Sequence, residues 1–439
     1  MRMSRLAGLG TILVLGGLSG CGGSDSQTII DPPPPPPPVP GAVAIVDGNQ
    51  QSGYIRRPVP KALTVQVNNS SGAGMPNVKV DWSVTAGGGN LSTIDSYGPT
   101  ISVVTDAQGQ AAINWSLGYT VGTQTVSAAV TGVSSPATFS ATAVLAPIVL
   151  HFDGTTWSAA LKDNHATIFS MTSVWGSSSS DVFVGGGACL GPFVVHYNGT
   201  SWEDTPDCYG GSVSRTMGIS GSSPSDVFAL EVTATPPFIS SAVRHYDGQS
   251  WTTSYTYNPG NFRSLDAIWS RSANDAFTVG DNGVILHFDG TSWNAQTTGT
   301  TGNLKAVWGV AGSAPVFAVG DAGTILYYDG NTWQPQSSGT TAALAAVSGT
   351  SANDVFAVGS GGTILHYDGT AWTAQTSGTT QALTGVWASG GAAFAVGYGN
   401  TILRYDGTAW TPQATTESMN FGGVWGTSPT NVYVVGTAW

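Results

Sequence analysis

The chain has 439 residues, of which 60 are glycine and only 9% are charged. That composition suits many short strands joined by tight turns and excludes a helical bundle, which needs far more Glu, Lys, Arg and Leu. Its 13 basic residues stand against 25 acidic ones, a formal charge of -12, which speaks against nucleic acid as a partner because neutralising phosphates takes clustered Lys and Arg.

The chain opens MRMSRLAGLGTILVLGGLSGC, with Arg2 and Arg5, an uncharged run from Leu6 to Leu18, and small residues before Cys21. This is the layout of a secretory signal, too short for a stable membrane span. Its ending LSGC resembles a bacterial lipobox. The resemblance implies a signal peptide over 1–20, acylation of the Cys21 thiol, and a cell-envelope protein held by an acyl chain in place of a basic patch; the alternative is an ordinary signal in which Cys21 is incidental. By analogy with Gram-negative lipoproteins, Gly22 in place of Asp is compatible with outer-membrane sorting. Residues 21–40 form a linker with a run of seven prolines, which favours polyproline II and makes a stiff tether of about 25 Å. In an exported chain the two remaining cysteines, Cys189 and Cys208, read as one disulfide.

Residues 41–145 alternate with period two, as in Leu63, Val65, Val67 and Val78, Val80, Trp82, Val84, with turn signals such as NNSSGAG and DAQG between the runs. That pattern predicts a half-buried antiparallel sandwich. At PNVKVDWSVTAGGGNLS, TDAQGQA and WSLGYTVGTQTVSA the segment resembles a bacterial Ig-like domain of the invasin and intimin group. In that family such domains are mostly spacers, and no catalytic residue carries over.

From 146 to 439 one unit recurs: LxAVWG, DVFAVG, GTILHYDG, then Trp and AQTSGTT. Its turn residue falls at Asp153, Asn198, Asp247, Asp289, Asp329, Asp368 and Asp406, a period of about 40 residues that marks propeller blades of four strands. The Asp-Gly turn and following Trp resemble Kelch and Asp-box repeats, from which only the fold carries over. The first copy, Ile148 to Trp157, holds outer strands alone, and the last, Phe421 to Gly436, inner strands alone. Joined, they complete a seventh blade. The expected fold is therefore all-β: an Ig-like sandwich, then a seven-bladed propeller closed by pairing its two ends, which leaves no open sheet edge.

His151, His196, His245, His287 and His366 share one repeat position. One per blade, they form a wide ring that cannot converge on a metal with ligands near 2 Å, and a structural or surface role is expected. The turn aspartates cap their own turns, and Trp175, Trp269, Trp308, Trp387 and Trp425 pack blade on blade. No Gly-x-Ser-x-Gly elbow, metal-spaced His-Glu pair or phosphate-binding Gly-Lys loop occurs, so neither a catalytic residue nor a cofactor is assigned.

The early units break the pattern. GGGACLGP and LEVTATPPFISSAV replace the compact AVGDNG turn, and TSYTYNPGNFRS replaces AQTTGTTGN. These insertions share a face, which makes a Cys189–Cys208 bond geometrically coherent. They would gather Tyr209, Phe238, Tyr255, Tyr257 and Phe262 with Arg215 and Arg263, a set suited to a glycan or protein ligand; the alternative is that they are tolerated loops. The expected function is a monomeric, non-catalytic binding or adhesion lipoprotein. Two alternatives stand beside it: a sialidase-like surface enzyme, for which the arginine cluster is missing, and an envelope assembly scaffold.

Overall fold

The computed structural model describes residues 38–162, 168–188, 191–204, 213–235, 238–260, 262–310, 312 and 315–438. Cys21 and the expected tether up to residue 37 lie outside them. The chain from Pro40 onward forms one compact unit.

Residues 40–144 build two five-stranded sheets. One orders Pro40–Asp47, Leu63–Asn69, Gln110–Leu117, Gly89–Ser92 and Tyr97–Gly98; the other orders Gln51–Tyr54, Ala137–Val144, Gly122–Val130, Lys79–Ala86 and Thr100–Val104. The period-two residues do what their spacing predicts: Leu63, Val65 and Val67 are fully buried, as are Trp115 and Phe139, in one core shared by both sheets. Trp82 and Phe139, from the second sheet, meet at 5.6 Å between ring centroids.

From Pro147 the chain forms a β-propeller of antiparallel sheets. The terminal strands pair as their sequences require. Pro147–Phe152 and Trp157–Lys162 join Asn431–Ala438 and Met419–Ser428 in one four-stranded sheet, with Val149 opposite Val435 and Phe152 opposite Val432. Four further sheets are regular: Leu265–Ser272 to Trp293–Ala295, Leu304–Gly309 to Trp333–Gln336, Leu344–Ser351 to Trp372–Gln375, and Leu383–Ser389 to Trp410–Pro412. Residues 168–257 make eight strands, in which a single opposed pair, Gly187 and Arg215, ties the first four to the second four. The innermost strands touch in chain order, and Met419–Ser428 touches Ile168–Ser178, so the ring is closed.

Within a regular sheet the second strand, such as Val316–Gly320, is buried at every residue. Neighbouring sheets cover both of its faces, which is why it reads as an unbroken apolar run and not as an alternation. The turn that follows, Asp321–Gly323, needs its glycine: Gly323 has φ +70, and a Cβ there would lie 2.0 Å from the Thr340 carbonyl oxygen.

Tryptophan and glycine lock adjacent sheets. A Cβ on Gly176 would sit 2.6 Å from the Trp425 indole, on Gly221 2.7 Å from Trp175, on Gly309 2.8 Å from Trp269, and on Gly349 2.8 Å from Trp308. Each indole thus fills the space its neighbour's missing side chain leaves. The two exceptions change as pairs. Where Ser220 replaces the Trp, Ser270 replaces the next glycine, and the Ser270 N–H donates to Ser220 Oγ at 2.9 Å with both residues buried. Where Ser348 replaces it, the next sheet carries Ala388, also buried.

The insertions expected as loops are different. LEVTATPPFISSAV belongs mostly to a hairpin, Asp226–Thr235 with Phe238–Tyr246, in register from Val227–Tyr246 to Thr235–Phe238. Its first strand has ten residues where the regular Asp275–Gly280 has six, and its sheet is taller by about 13 Å at roughly 3.3 Å per residue. Alternating Val, Thr, Ile and Ser favour a strand over a coil. Trp251–Tyr257 is likewise a seven-residue strand where Trp293–Ala295 has three.

Candidate functional site

The propeller has two unlike faces. On one, every described YDG turn is built alike. Asp153 Oδ1 accepts the N–H groups of Thr155 and Thr156, both at 2.8 Å, and Asn198 Oδ1 those of Thr200 and Ser201, both at 2.9 Å. The Thr370 hydroxyl and the Ala371 and Thr370 N–H groups lower the Asp368 pKa to about 2. The Ala409 and Thr408 N–H groups and the Thr408 hydroxyl do the same at Asp406. These carboxylates serve the chain's own backbone.

Beneath the turns lies a second repeated device that the positional reading of the histidines missed. His196 Nε2 meets Asp181 Oδ1 at 2.6 Å, His245 meets Asp226 at 2.7 Å, His287 meets Asp275 at 2.9 Å and His366 meets Asp354 at 2.8 Å. Each ring also lies against the Phe two residues beyond its Asp, as His196 on Phe183 at 4.0 Å and His287 on Phe277 at 4.2 Å. The signal was present in the repeats themselves. Where the Asp position holds Pro315 or Ala392, the His position holds Tyr327 or Arg404, and Arg404 lies over Phe394 at 5.7 Å. Where it holds Asn431, His151 bonds to it at 3.2 Å. A histidine stands only where an acceptor waits for it, which is the mark of a structural pair.

The opposite face carries the tall sheet and the residues singled out by the sequence. Cys189, Cys208 and Tyr209 lie outside the described residues. Phe238 opens the returning strand of the tall hairpin. Arg215 is exposed on Val213–Ser223, opposite Val232. Tyr255 and Tyr257 are not free platforms. Both are half-buried against the cluster of Phe228, Leu230 and Val243, and Tyr255 lies 6.2 Å from the Trp293 ring. Burial raises the Tyr257 pKa, the Arg263 charge opposes it, and the Asp281 charge adds to it. Phe262 is 71% exposed and Arg263 beside it is exposed.

Next to this pair the first strands place a polar cluster that period and motif did not reveal. Lys305 Nζ donates to Asp266 Oδ2 at 2.7 Å and lies 3.8 Å from Asp281 Oδ1. Asp281 Oδ2 accepts the Ser264 N–H at 2.9 Å. Burial raises the Asp266 pKa, with Lys305 pulling it back. The second position of the LxAVWG unit reads, copy by copy, Thr172, Met217, Asp266, Lys305, Ala345, Thr384 and Gly422. Opposite charges on successive copies were the available clue. The face thus offers an exposed aromatic and an exposed cation, a raised wall, and an acidic rim already held by its own donors. Such a surface can bind; its described carboxylates are engaged in holding loops and neighbouring sheets.

No family model matches the chain, and no curated protein matches it. Among solved structures, it is similar to the WD40 β-propeller domain of Doa1, at 12% identity and a TM-score of 0.50 over 66% of this chain and 94% of that one. YCF48 bound to a D1 peptide is 17% identical, with a TM-score of 0.49 over 62% and 90%. YCF48 from Cyanidioschyzon merolae is 16% identical, with a TM-score of 0.47 over 62% and 94%. At these identities the likeness to the Doa1 domain shows the fold alone, a β-propeller.

Proposed function

We propose that the chain is a non-catalytic, cell-envelope lipoprotein whose propeller head binds a protein partner. In this reading Cys21 carries the acyl anchor and the Pro-rich segment is the tether. The two-sheet region is an Ig-like spacer, and the head has seven blades, the eight-stranded array counting as two. The outer membrane is the proposed location, Cys189 and Cys208 the proposed disulfide, and no cofactor takes part.

The observation that carries the binding role is the tall hairpin and the exposed Phe262 and Arg263 that follow it in the chain. A buried ring stabilises its own sheet, whereas an exposed aromatic flanked by arginine is the usual anchor of a protein interface. Tyr255 and Tyr257, the residues that would stack on a sugar, are already spent on Trp293 and the sheet core, which favours a protein over a glycan.

A photo-crosslinking amino acid at position 262, introduced in the native host, tests this. A discrete protein adduct, lost on Arg263→Glu and not formed from position 370 on the YDG face, is the expected result. Absence of any adduct, together with glycan-array hits for the purified protein, moves the reading to a lectin; turnover of a bound glycan moves it to an enzyme. Separately, Cys21→Ser should release the protein from the membrane fraction.

A further inference from the structure

Where the two-sheet region meets the propeller, a cleft of about 380 Å³ opens between Tyr54, Arg57 and Pro58 on one side and Lys162 and Glu417 on the other, with Leu145 also lining it. Its size lies in the range of small-molecule sites. We propose that this cleft binds a small organic carboxylate, of the size of a dicarboxylic acid or a dipeptide, between Arg57 and Lys162.

Three observations carry the assignment. First, its two cations come from the two different walls, and among the described residues neither side chain has a hydrogen-bond or ion-pair partner. A guanidinium and an ammonium facing one cleft are the donor set that a carboxylate satisfies, the guanidinium through two parallel N–H donors. Second, the acid in the cleft is already engaged. The Tyr54 hydroxyl donates to Glu417 Oε2 at 2.5 Å, so Glu417 is held toward the tyrosine. Burial and the Glu417 charge both raise the Tyr54 pKa, which keeps the hydroxyl protonated and the bond in place. Third, Pro58, Pro60, Val144 and Leu145 line the cleft beside Ser52 and Ser418 and give an apolar surface to the carbon skeleton of a ligand. Tyr54 itself packs on the propeller cluster that contains Leu150 and Phe421, so the floor of the cleft is set by the junction of the two regions, and a ligand bridging Arg57 and Lys162 would fasten one to the other.

Titration calorimetry of the purified full chain at low salt, with succinate as probe and inorganic phosphate as comparison, tests the assignment. Succinate is expected to bind. Arg57→Gln and Lys162→Gln should each weaken it about five- to tenfold, as expected for loss of one partly desolvated charge contact, while Arg57→Lys retains part of the affinity. Glu417→Gln should strengthen binding by removing the like charge. Circular dichroism and the unfolding temperature of each variant separate loss of binding from loss of fold. No heat with succinate, an affinity indifferent to Arg57 and Lys162, or phosphate binding as tightly as succinate would each overturn the assignment, the last by showing that charge alone is recognised.

Discussion

The sheets from Leu265 to Pro412 and the array from Ile168 to Tyr257 are made from the same repeat and differ in what they spend on it. The later sheets are near copies, closed by short turns such as Asp281–Gly283 and Asp321–Gly323. The earlier array keeps the Asp–His pairs at His196 and His245 but lengthens its strands above one face, while each region gives up one Trp-Gly lock, at Ser220 and at Ser348. Each region keeps some of the devices that hold the ring and replaces others in pairs; of the two, the earlier array alone has the lengthened strands. The lengthened face, and not the devices that hold the ring, is therefore what sets the earlier array apart.

The comparison breaks most severely at the ring's closure. Removing Met419–Ala438 leaves the Val149–Val435 pairing without one side and uncovers Leu150, Phe394 and Ile402, which pack against it in one cluster. The expected result is loss of cooperative unfolding for early and late sheets alike, with aggregation from exposed edges, read by calorimetry and light scattering. Shortening the chain by Trp439 alone should leave both unchanged.

One lock is a smaller break. Trp308→Ala should cost about 3 kcal/mol or more, as for other large-to-small aromatic changes. Gly349→Ala, whose new Cβ would meet that indole at 2.8 Å, should cost about 1–3 kcal/mol by overpacking. If the serine couple is a true alternative to the lock, Trp308→Ser with Gly349→Ser should cost clearly less than the two single changes added together. Denaturant unfolding of the four proteins gives the coupling.

Smaller again is an Asp–His pair. Asp354→Ala leaves His366 and the Thr350 hydroxyl without their acceptor and should cost about 1–2 kcal/mol, and Asp275→Ala should cost more because there the second donor is the charged Arg271, at 2.8 Å.

The smallest effect is the turn carboxylates. Asp368 and Asp406 have pKa values near 2 when folded, against 3.8 for an unperturbed aspartate. Their contribution to stability is complete above about pH 4 and is lost as pH falls through about 2. Asn198 makes the same bonds without titrating, so Asp368→Asn should flatten the acid limb of the stability curve slightly while leaving neutral stability nearly unchanged.

Much of this was legible in the chain. Period-two residues such as Val65 and Trp115 are buried as their spacing requires, and the unmatched ends at Ile148 and Phe421 announced the shared sheet. Three things were not. The tall hairpin looked like a loop because its length broke the period and Pro236-Pro237 interrupted it, although Val232, Thr233 and Ile239 are strand formers. Tyr255 and Tyr257 looked like ligand platforms because an aromatic at an irregular position says nothing of what covers it. The Asp266–Lys305 pair and the Arg57–Lys162 cleft join residues from separate repeats or separate regions, and no local pattern records a contact made only by tertiary folding.

The measurement that bears most directly on the division between ring and face is a graft. Residues 231–242 of the tall hairpin are replaced by the five residues Gly280 to Val284 of the regular sheet, and the variant is compared with the parent in unfolding temperature and in crosslinking from position 262. The account predicts an unfolding temperature within a few degrees of the parent and loss of the crosslinked partner. A propeller that no longer folds, or an adduct that persists undiminished, would contradict it.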